Sequence, residues 1–503
     1  MSNLVGLTWQ QAQFIPNLVR ATIFLVATYI TWIFLYSIFF HPLRDFPGPR
    51  VAAATRLPYW IACLRGKQVP WMQHLHAEYG PVVRFGPNDL SYTGAQAWKD
   101  VYGHQKGRKE NIKDPKFYTP SENGAPSVAD LSAKEHAIVR RLMAPAFSDR
   151  ALKDQEPMFH RYADLMVASV EKAIGDGPNA IVDMVKTYNL TTFDIMAQLT
   201  FGESLGLLES SEYTPWVELV FKSIRLVPVL QILEYYPILK SLFKILEPKS
   251  VKHMRISHYK HSADRLHKRL ARGSEQPDIW NIVFRDEENS RILTVPQMES
   301  NAQLFMAAGT ETTATLLSGL TYLLLSNPHS LQLLTDELRK ALESKQVDFE
   351  SLARLPYLNA CIEEGLRMYP PVPSAFPRVT PEGGNVILGQ WVPPGTSVSV
   401  HATSTYRDSK NFTDPDIFAP QRWLGDPRYK DDKLDARQPF SVGPRSCLGM
   451  GMAWHEMRLL LTKILVNFDL ELCEESRDWT NQKVYILWQK KPLMCCVTPV
   501  ARH

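Results

Sequence analysis

Phe440-Ser441-Val442-Gly443-Pro444-Arg445-Ser446-Cys447-Leu448-Gly449 is the stretch on which the reading turns. A cysteine stands between two glycines, two residues after an arginine, and a helix-forming run from Gly449 to Phe468 follows it. A sulfur just ahead of a helix meets the positive end of the helix dipole, which favours its thiolate. Gly443 and Gly449 allow a tight loop whose backbone N–H groups approach that sulfur. Arg445 is able to pair with an anionic group. Phe440 is expected to pack against the loop and keep water away. For Cys447 taken alone, a buried structural cysteine in a Gly/Pro turn is the competing interpretation.

Working outward, Ala307-Ala308-Gly309-Thr310-Glu311-Thr312-Thr313 breaks an otherwise apolar run. That run opens at Thr294-Val295-Pro296, an N-cap with proline in the first turn, and extends to Ser326-Asn327-Pro328. The spacing predicts one helix of about thirty residues, long enough to cross a whole domain. The Thr312 hydroxyl can bond back to the Ala308 carbonyl and bend the helix, opening a polar notch. Glu311 and Thr312 then become candidates for proton delivery. Glu364 and Arg367, three apart, share a helical face and can pair. His136 and Arg140 stand one helical turn apart. Strand-like stretches lie at Val386–Trp391 and Thr396–Val400, separated by Pro393-Pro394-Gly395. Residues 92–127 read as loop-rich, and most of residues 70–350 as helix. The fold class is mainly α with a small β region.

Ala21 to Phe40 is twenty residues without a charge. At about 1.5 Å each they span about 30 Å, the thickness of a bilayer core. The run is longer than the apolar part of a cleaved signal peptide and ends in Phe39-Phe40-His41-Pro42, not in small residues, so an uncleaved transmembrane anchor is expected. Arg44, Arg50 and Arg56 follow it while only Arg20 precedes it, which puts the body on the cytoplasmic side. The expected organisation is a segment 1–40 with its span at 21–40, a stiff proline-rich hinge at 41–50, and one body over 51–503. The sequons at Asn189 and Asn411 should stay bare there. The 503 residues are 45% apolar and 21% charged, which excludes disorder. A net charge of +4 is too mild to argue for nucleic acid. Six cysteines without a C-x-x-C pair give no disulfide framework and no structural zinc site. An H-E-x-x-H motif is absent, which disfavours a zinc hydrolase.

The cysteine loop resembles the signature F-x-x-G-x-R-x-C-x-G of the cytochrome P-450 family of haem-thiolate monooxygenases. Phe440, Gly443, Arg445, Cys447 and Gly449 match every fixed position. Such a match arises by composition in roughly one chain in ten thousand of this length. Ala308, Gly309, Glu311 and Thr312 are similar to the family's A-G-x-D/E-T element. The resemblance implies the cytochrome P-450 fold preceded by one transmembrane helix. It implies haem b (iron protoporphyrin IX) with Cys447 as axial iron ligand, whose electron push favours O–O cleavage. Arg445, His136, Arg140 and Arg378 are implied as propionate contacts, with Phe440, Gly443 and Gly449 around the sulfur. Glu311 and Thr312 are implied as the proton-delivery pair over the haem, and Glu364, Arg367 and Arg422 as a buried ion cluster that retains fold and haem. Many relatives carry Glu where this chain has Gln421. Residues 227–248 fall where the family places its substrate-access helices, and either a membrane-dipping lip or plain core helices would suit them.

The activity implied is insertion of one oxygen atom of O2 into an apolar small molecule, at the endoplasmic reticulum membrane. Electrons would come from NADPH-cytochrome P-450 reductase, with cytochrome b5 as a further donor. A basic face formed by Arg428, Lys430, Lys433, Arg437, Arg458 and Lys463 is expected to steer the acidic flavoprotein. Lys113 to Tyr118 is similar to the branch used in microbial secondary metabolism, which implies a terpenoid, polyketide or alkaloid substrate. Two alternatives stand beside this: a reductase-independent isomerase or dehydratase of the same fold, and a non-catalytic haem-binding sensor or carrier.

Overall fold

Helices carry most of the body, as the apolar spacing predicts. The computed structural model describes residues 2–104, 106–118, 121–175, 180–272, 278–284, 292–344 and 347–500. The helices that position the site are α1 (Ser2–Phe39), α2 (Ala133–Met143), α3 (Asp149–Ile174), α4 (Met184–Phe201), α5 (Val227–Tyr235), α6 (Pro237–Leu246), α7 (Lys249–Arg272), α8 (Val295–Leu325), α9 (Pro356–Met368) and α10 (Met450–Asn467). In α8, Thr294 Oγ1 accepts from Gln297 N while the Gln297 side chain accepts from Thr294 N, so two free amides of the first turn are closed. The helix stops at Ser326, because Asn327 precedes a proline and is driven out of helical geometry. α4 is apolar and buried on nearly every side, which makes it the central helix, packed along α8. One continuous core joins α3, α4, α8, α9 and α10.

The strands are β1 (Val82–Gly86), β2 (Asp89–Tyr92), β3 (Ile112–Lys113), β4 (Ala180–Asp183), β5 (Arg378–Val379), β6 (Asn385–Ile387), β7 (Gln390–Val392), β8 (Ser397–Val400), β9 (Phe468–Leu472), β10 (Lys483–Tyr485), β11 (Leu487–Gln489) and β12 (Met494–Pro499). The largest sheet runs β1-β2-β8-β5-β3, with β2 and β8 parallel. Its register sets Lys113 directly opposite Arg378. The strand-like stretches of the sequence correspond to the β6–β7 hairpin and β8. Residues 92–127 are less irregular than their composition suggests. Ala95–Tyr102 is a helix, because Ala97, Trp98, Val101 and Tyr102 recur on one face and bury it.

Pro16–Phe39 forms 24 residues of helix with mean hydropathy 1.9, none of it buried in its most apolar stretch, long and apolar enough to cross a membrane. α6 buries none of its residues and turns Ile238, Leu242 and Ile245 outward, so it is not a core helix. Both sequons are shut away. Asn189 Nδ2 donates to Tyr213 Oη at 3.0 Å, and Asn411 Nδ2 donates to the carbonyls of Thr93 and Thr405, both residues being buried.

Candidate active site

Cys447 stands two residues ahead of Gly449, the N-cap of α10. Its loop is closed by Cys447 N donating to Phe440 O at 2.8 Å and Ser446 N to Gly443 O at 3.1 Å. Gly443 has φ +80°, and a Cβ there would lie 2.3 Å from Tyr102 O, so space and backbone both demand glycine. Gly449 contributes differently. Its φ is −89° and a Cβ would meet only Met452 Cε at 3.8 Å, so its backbone freedom is not used. What it supplies is an N–H on the sulfur. Burial raises the Cys447 thiol, and the Gly449 N–H and the Arg140 charge oppose that rise. Arg140 Nη1 donates to Ser446 O at 2.6 Å, bracing the loop from α2.

The sulfur opens onto a cavity of about 720 Å³. Ala307, Ala308, Gly309, Thr312 and Thr313 of α8 line it from the other side, and Phe147, Phe305, Val372, Ala375 and Phe376 add apolar wall. Ala307 and Ala308 are exposed mid-way along an otherwise buried helix, because they face this space. Thr312 Oγ1 donates to Ala308 O at 2.6 Å, the back-bond its spacing suggests. Gly309 also serves packing, since a Cβ there would lie 2.5 Å from Met196 Sδ of α4.

Glu311 and Thr312 do not share this cavity. Neighbours on a helix point about 100° apart, and Glu311 faces away, its Oε1 2.9 Å from Lys490 Nζ. Thr315 Oγ1 and Asn189 Oδ1 hold the same ammonium at 2.9 and 3.2 Å. Burial lowers Lys490, and Glu311 opposes that. Glu311 Oε2 is buried without a partner among the described residues.

Five basic side chains converge on the same cavity, Lys113, His136, Arg140, Arg378 and Arg445, with the Asp130 carboxylate also on its lining. Arg445 Nε donates to Glu110 at 3.0 Å and its Nη1 to Leu131 O at 3.0 Å. Arg378 Nη1 is buried without a hydrogen-bond partner among the described residues. Burial lowers His136 to about 4, helped by Arg445, Lys113, Arg140 and Arg378. Burial lowers Lys113 to about 7, helped by Arg378 and Arg445, with Asp130 and Glu110 opposing. The cluster is short of negative charge. Nothing local in Ile112-Lys113 marks this lysine; only its register against Arg378 brings it in.

Away from the cavity, Glu364 gathers Arg367 and Arg422. Its Oε1 lies 2.7 Å from Arg367 Nη2 and 3.1 Å from Arg422 Nε. Its Oε2 lies 2.9 Å from both Arg367 Nε and Trp423 Nε1. Burial pushes this carboxyl up, but the arginines and the Ala419 N–H outweigh it and hold it below the usual carboxylate range. Gln421 takes no part in this cluster, and Arg422 instead finds a second carboxylate in Asp432.

A profile of the cytochrome P-450 family matches residues 54–497. The chain belongs to the cytochrome P-450 family. It is similar to cytochrome P-450 monooxygenase efuB of Hormonema carpetanum, 45% identical over 93% of this chain and 94% of the relative. Cytochrome P-450 monooxygenase FUM2 of Gibberella moniliformis is 46% identical over 92% of this chain and 98% of the relative. Cytochrome P-450 monooxygenase lcsI of Purpureocillium lilacinum is 41% identical over 93% and 92%. The chain is a haem-thiolate monooxygenase, and the isomerase and sensor alternatives are not favoured.

The residues of this cytochrome P-450 fit the haem its family implies. A sulfur with an N–H donor faces a cavity whose cations outnumber the carboxylates beside them, and Arg378 Nη1, without a partner among the described residues, is suited to a propionate. Haem bound there activates dioxygen at its iron. Around that space the chain offers the Cys447 sulfur in a closed and braced loop, apolar walls and the Thr312 hydroxyl.

Cytochrome P-450 monooxygenases draw electrons from a redox partner. The basic face expected from the sequence is largely neutralised here. Arg437 pairs with Glu363 and stacks over Trp423, with its side chain 11% exposed. Arg428 pairs with Asp414 and Lys463 with Asp164. Arg458 donates to Asn359. Glu363, Asp164 and Asn359 come from distant segments, so the basic run by itself does not show these pairings. Lys430 and Lys433 remain exposed.

Proposed function

We propose that this enzyme hydroxylates an apolar intermediate of secondary metabolism, of terpenoid, polyketide or alkaloid type. It uses haem b, with electrons from NADPH-cytochrome P-450 reductase and cytochrome b5 as a further donor. The anchor holds it as a single-pass protein in the endoplasmic reticulum membrane, body in the cytoplasm, with the outward apolar residues of α6 dipping into lipid beside the substrate path. The observation that carries this is one apolar cavity with the Cys447 sulfur on one side and the Thr312 hydroxyl on the other. Thr312 holds a proton at Oγ1 beside the substrate space. For Glu311 to supply the next proton, its carboxylate must leave Lys490 and turn toward the cavity.

The test is a reduced carbon-monoxide difference spectrum of the full chain in membranes, then turnover of candidate apolar metabolites with reductase, NADPH and O2. A thiolate-type spectrum that disappears in Cys447→Ala, with product formed only when NADPH and O2 are both present, is expected. Product without NADPH, or an unchanged spectrum in Cys447→Ala, overturns the assignment.

A further inference from the structure

Arg84, on β1, is a second kind of buried cation: it is 2% exposed and does not line the cavity. No carboxylate among the described residues pairs with it. Its guanidinium is satisfied by backbone carbonyls instead. Nη1 donates to Ser37 O at 2.9 Å and Leu43 O at 3.4 Å. Nη2 donates to Pro87 O at 2.9 Å and Ala53 O at 3.3 Å, and Nε to Pro87 O at 3.3 Å. These acceptors come from the last turn of α1, the hinge, the short helix Arg50–Ala54 and the β1–β2 turn.

The Ser37 carbonyl is one that α1 leaves free. In a continued helix His41 N would take it, but His41 N turns to Tyr36 O at 2.9 Å. The dipole makes that helix end partly negative, so a cation there is favoured. Burial lowers Arg84 only to about 10, so it stays charged at neutral pH. The hinge is fixed at further points. Arg84 N donates to Pro47 O at 2.7 Å, and a Cβ on Gly48 would lie 2.1 Å from Arg84 O. His41 Nδ1 accepts from Leu43 N, which leaves Nε2–H to donate to Asn88 Oδ1 at 3.0 Å. Arg44 Nη1 donates to Phe39 O at 2.9 Å. A buried guanidinium without a counter-ion is costly unless its N–H groups find acceptors. Here the acceptors meet around it only when the end of α1 and the body hold one relative angle.

We propose that Arg84 fixes the angle between the membrane span and the oxygenating body, so that the body faces the lipid surface in one orientation. The proposal rests on α1 being a membrane anchor. The experiment is linear dichroism of the haem band, using the full haem-loaded chain in oriented phospholipid bilayers. The wild type is compared with Arg84→Gln and with a Gly-Gly-Gly insertion after Phe40, which separates Ser37 from Arg84 without altering the arginine.

A clear dichroic ratio is expected in the wild type. It should move toward the isotropic value in both variants, while the carbon-monoxide spectrum is unchanged. Unchanged dichroism in haem-loaded Arg84→Gln overturns the proposal, as does an isotropic wild type that is nonetheless held in the membrane. Should Arg84→Gln fail to fold, the insertion decides: lost dichroism supports the clamp and retained dichroism overturns it. A wild-type chain released from membranes by alkaline carbonate overturns the anchor itself, a failure distinct from the others.

Discussion

Glu364 and Arg378 each sit in a buried group of arginines, and the two groups are balanced in opposite ways. Around Glu364 the positive charges are met within the chain: Arg367 by Glu364, and Arg422 by Glu364 and Asp432, every one of these side chains fully buried. Around Arg378, Lys113, His136, Arg140 and Arg445 gather with Glu110 and Asp130 as the carboxylates acting on them, and one guanidinium nitrogen is left without an acceptor among the described residues. A completed buried ion cluster specifies and holds a fold. An incomplete one costs the folded chain free energy until an anion arrives. The same residue type therefore serves architecture in one place and ligand binding in the other, and what separates them is how many cations share the carboxylates: two arginines share Glu364 and Asp432, whereas Lys113, Arg140, Arg378 and Arg445 share Glu110 and Asp130.

The sharpest test removes the balance where it is complete. Glu364→Ala leaves Arg367 and Arg422 facing each other without their shared carboxylate. Losing one partner of a buried pair costs about 3–5 kcal/mol, against a total of about 5–15 kcal/mol for a typical domain. The expected result is little or no folded, haem-loaded protein, read as soluble yield and melting temperature. A variant that melts like the wild type would remove the architectural role. Next in size is Arg378→Met. A hydrogen bond to a charged group is worth about 1.5–3 kcal/mol, so haem should leave roughly ten to a hundred times more readily. The haem-free body should melt no lower than the wild type, because an unanswered buried charge has gone. If Arg378→Met instead destabilises the haem-free body as Glu364→Ala does, the two groups do not differ in kind.

What could be read in the sequence was what short-range geometry fixes. The Thr294 cap, the Thr312 back-bond and the Glu364–Arg367 spacing need only a helix to exist. The cysteine loop is likewise local, closed by Cys447 N on Phe440 O. What could not be read depends on which distant segments meet. Lys113 enters the cation group through strand register against Arg378. Glu311 is turned from the cavity by Lys490, near the far end of the chain. Arg437 is removed from the surface by Glu363 of α9. Ala95–Tyr102 was hidden because its helix is short and set among turn-forming residues.

The smallest effect separates the two groups by the sign of their pH dependence. Glu364 is held below the usual carboxylate range, so its contribution is present above the unfolded carboxylate pKa and is lost as pH falls through the depressed one. Lys113 has the opposite sense. Its ammonium is brought from 10.5 to about 7, by burial first and by Arg378 and Arg445 next. Below pH 7 both folded and unfolded chains carry that proton and the full penalty stands. Between about pH 7 and 10.5 the unfolded chain keeps a proton that the folded chain has released, so the stability of the haem-free body rises with pH across that window. Lys113→Met abolishes this slope. The variant should melt above the wild type at pH 7, by about 2 °C for each kcal/mol relieved, and the gap should close as pH approaches 10. With haem bound, an anion in the cluster restores the lysine's charge and the gap should be small at every pH. A gap that is constant with pH in the haem-free body, or equal with and without haem, would show that Lys113 is an ordinary surface-type lysine and that the cation group lacks the deficit assigned to it.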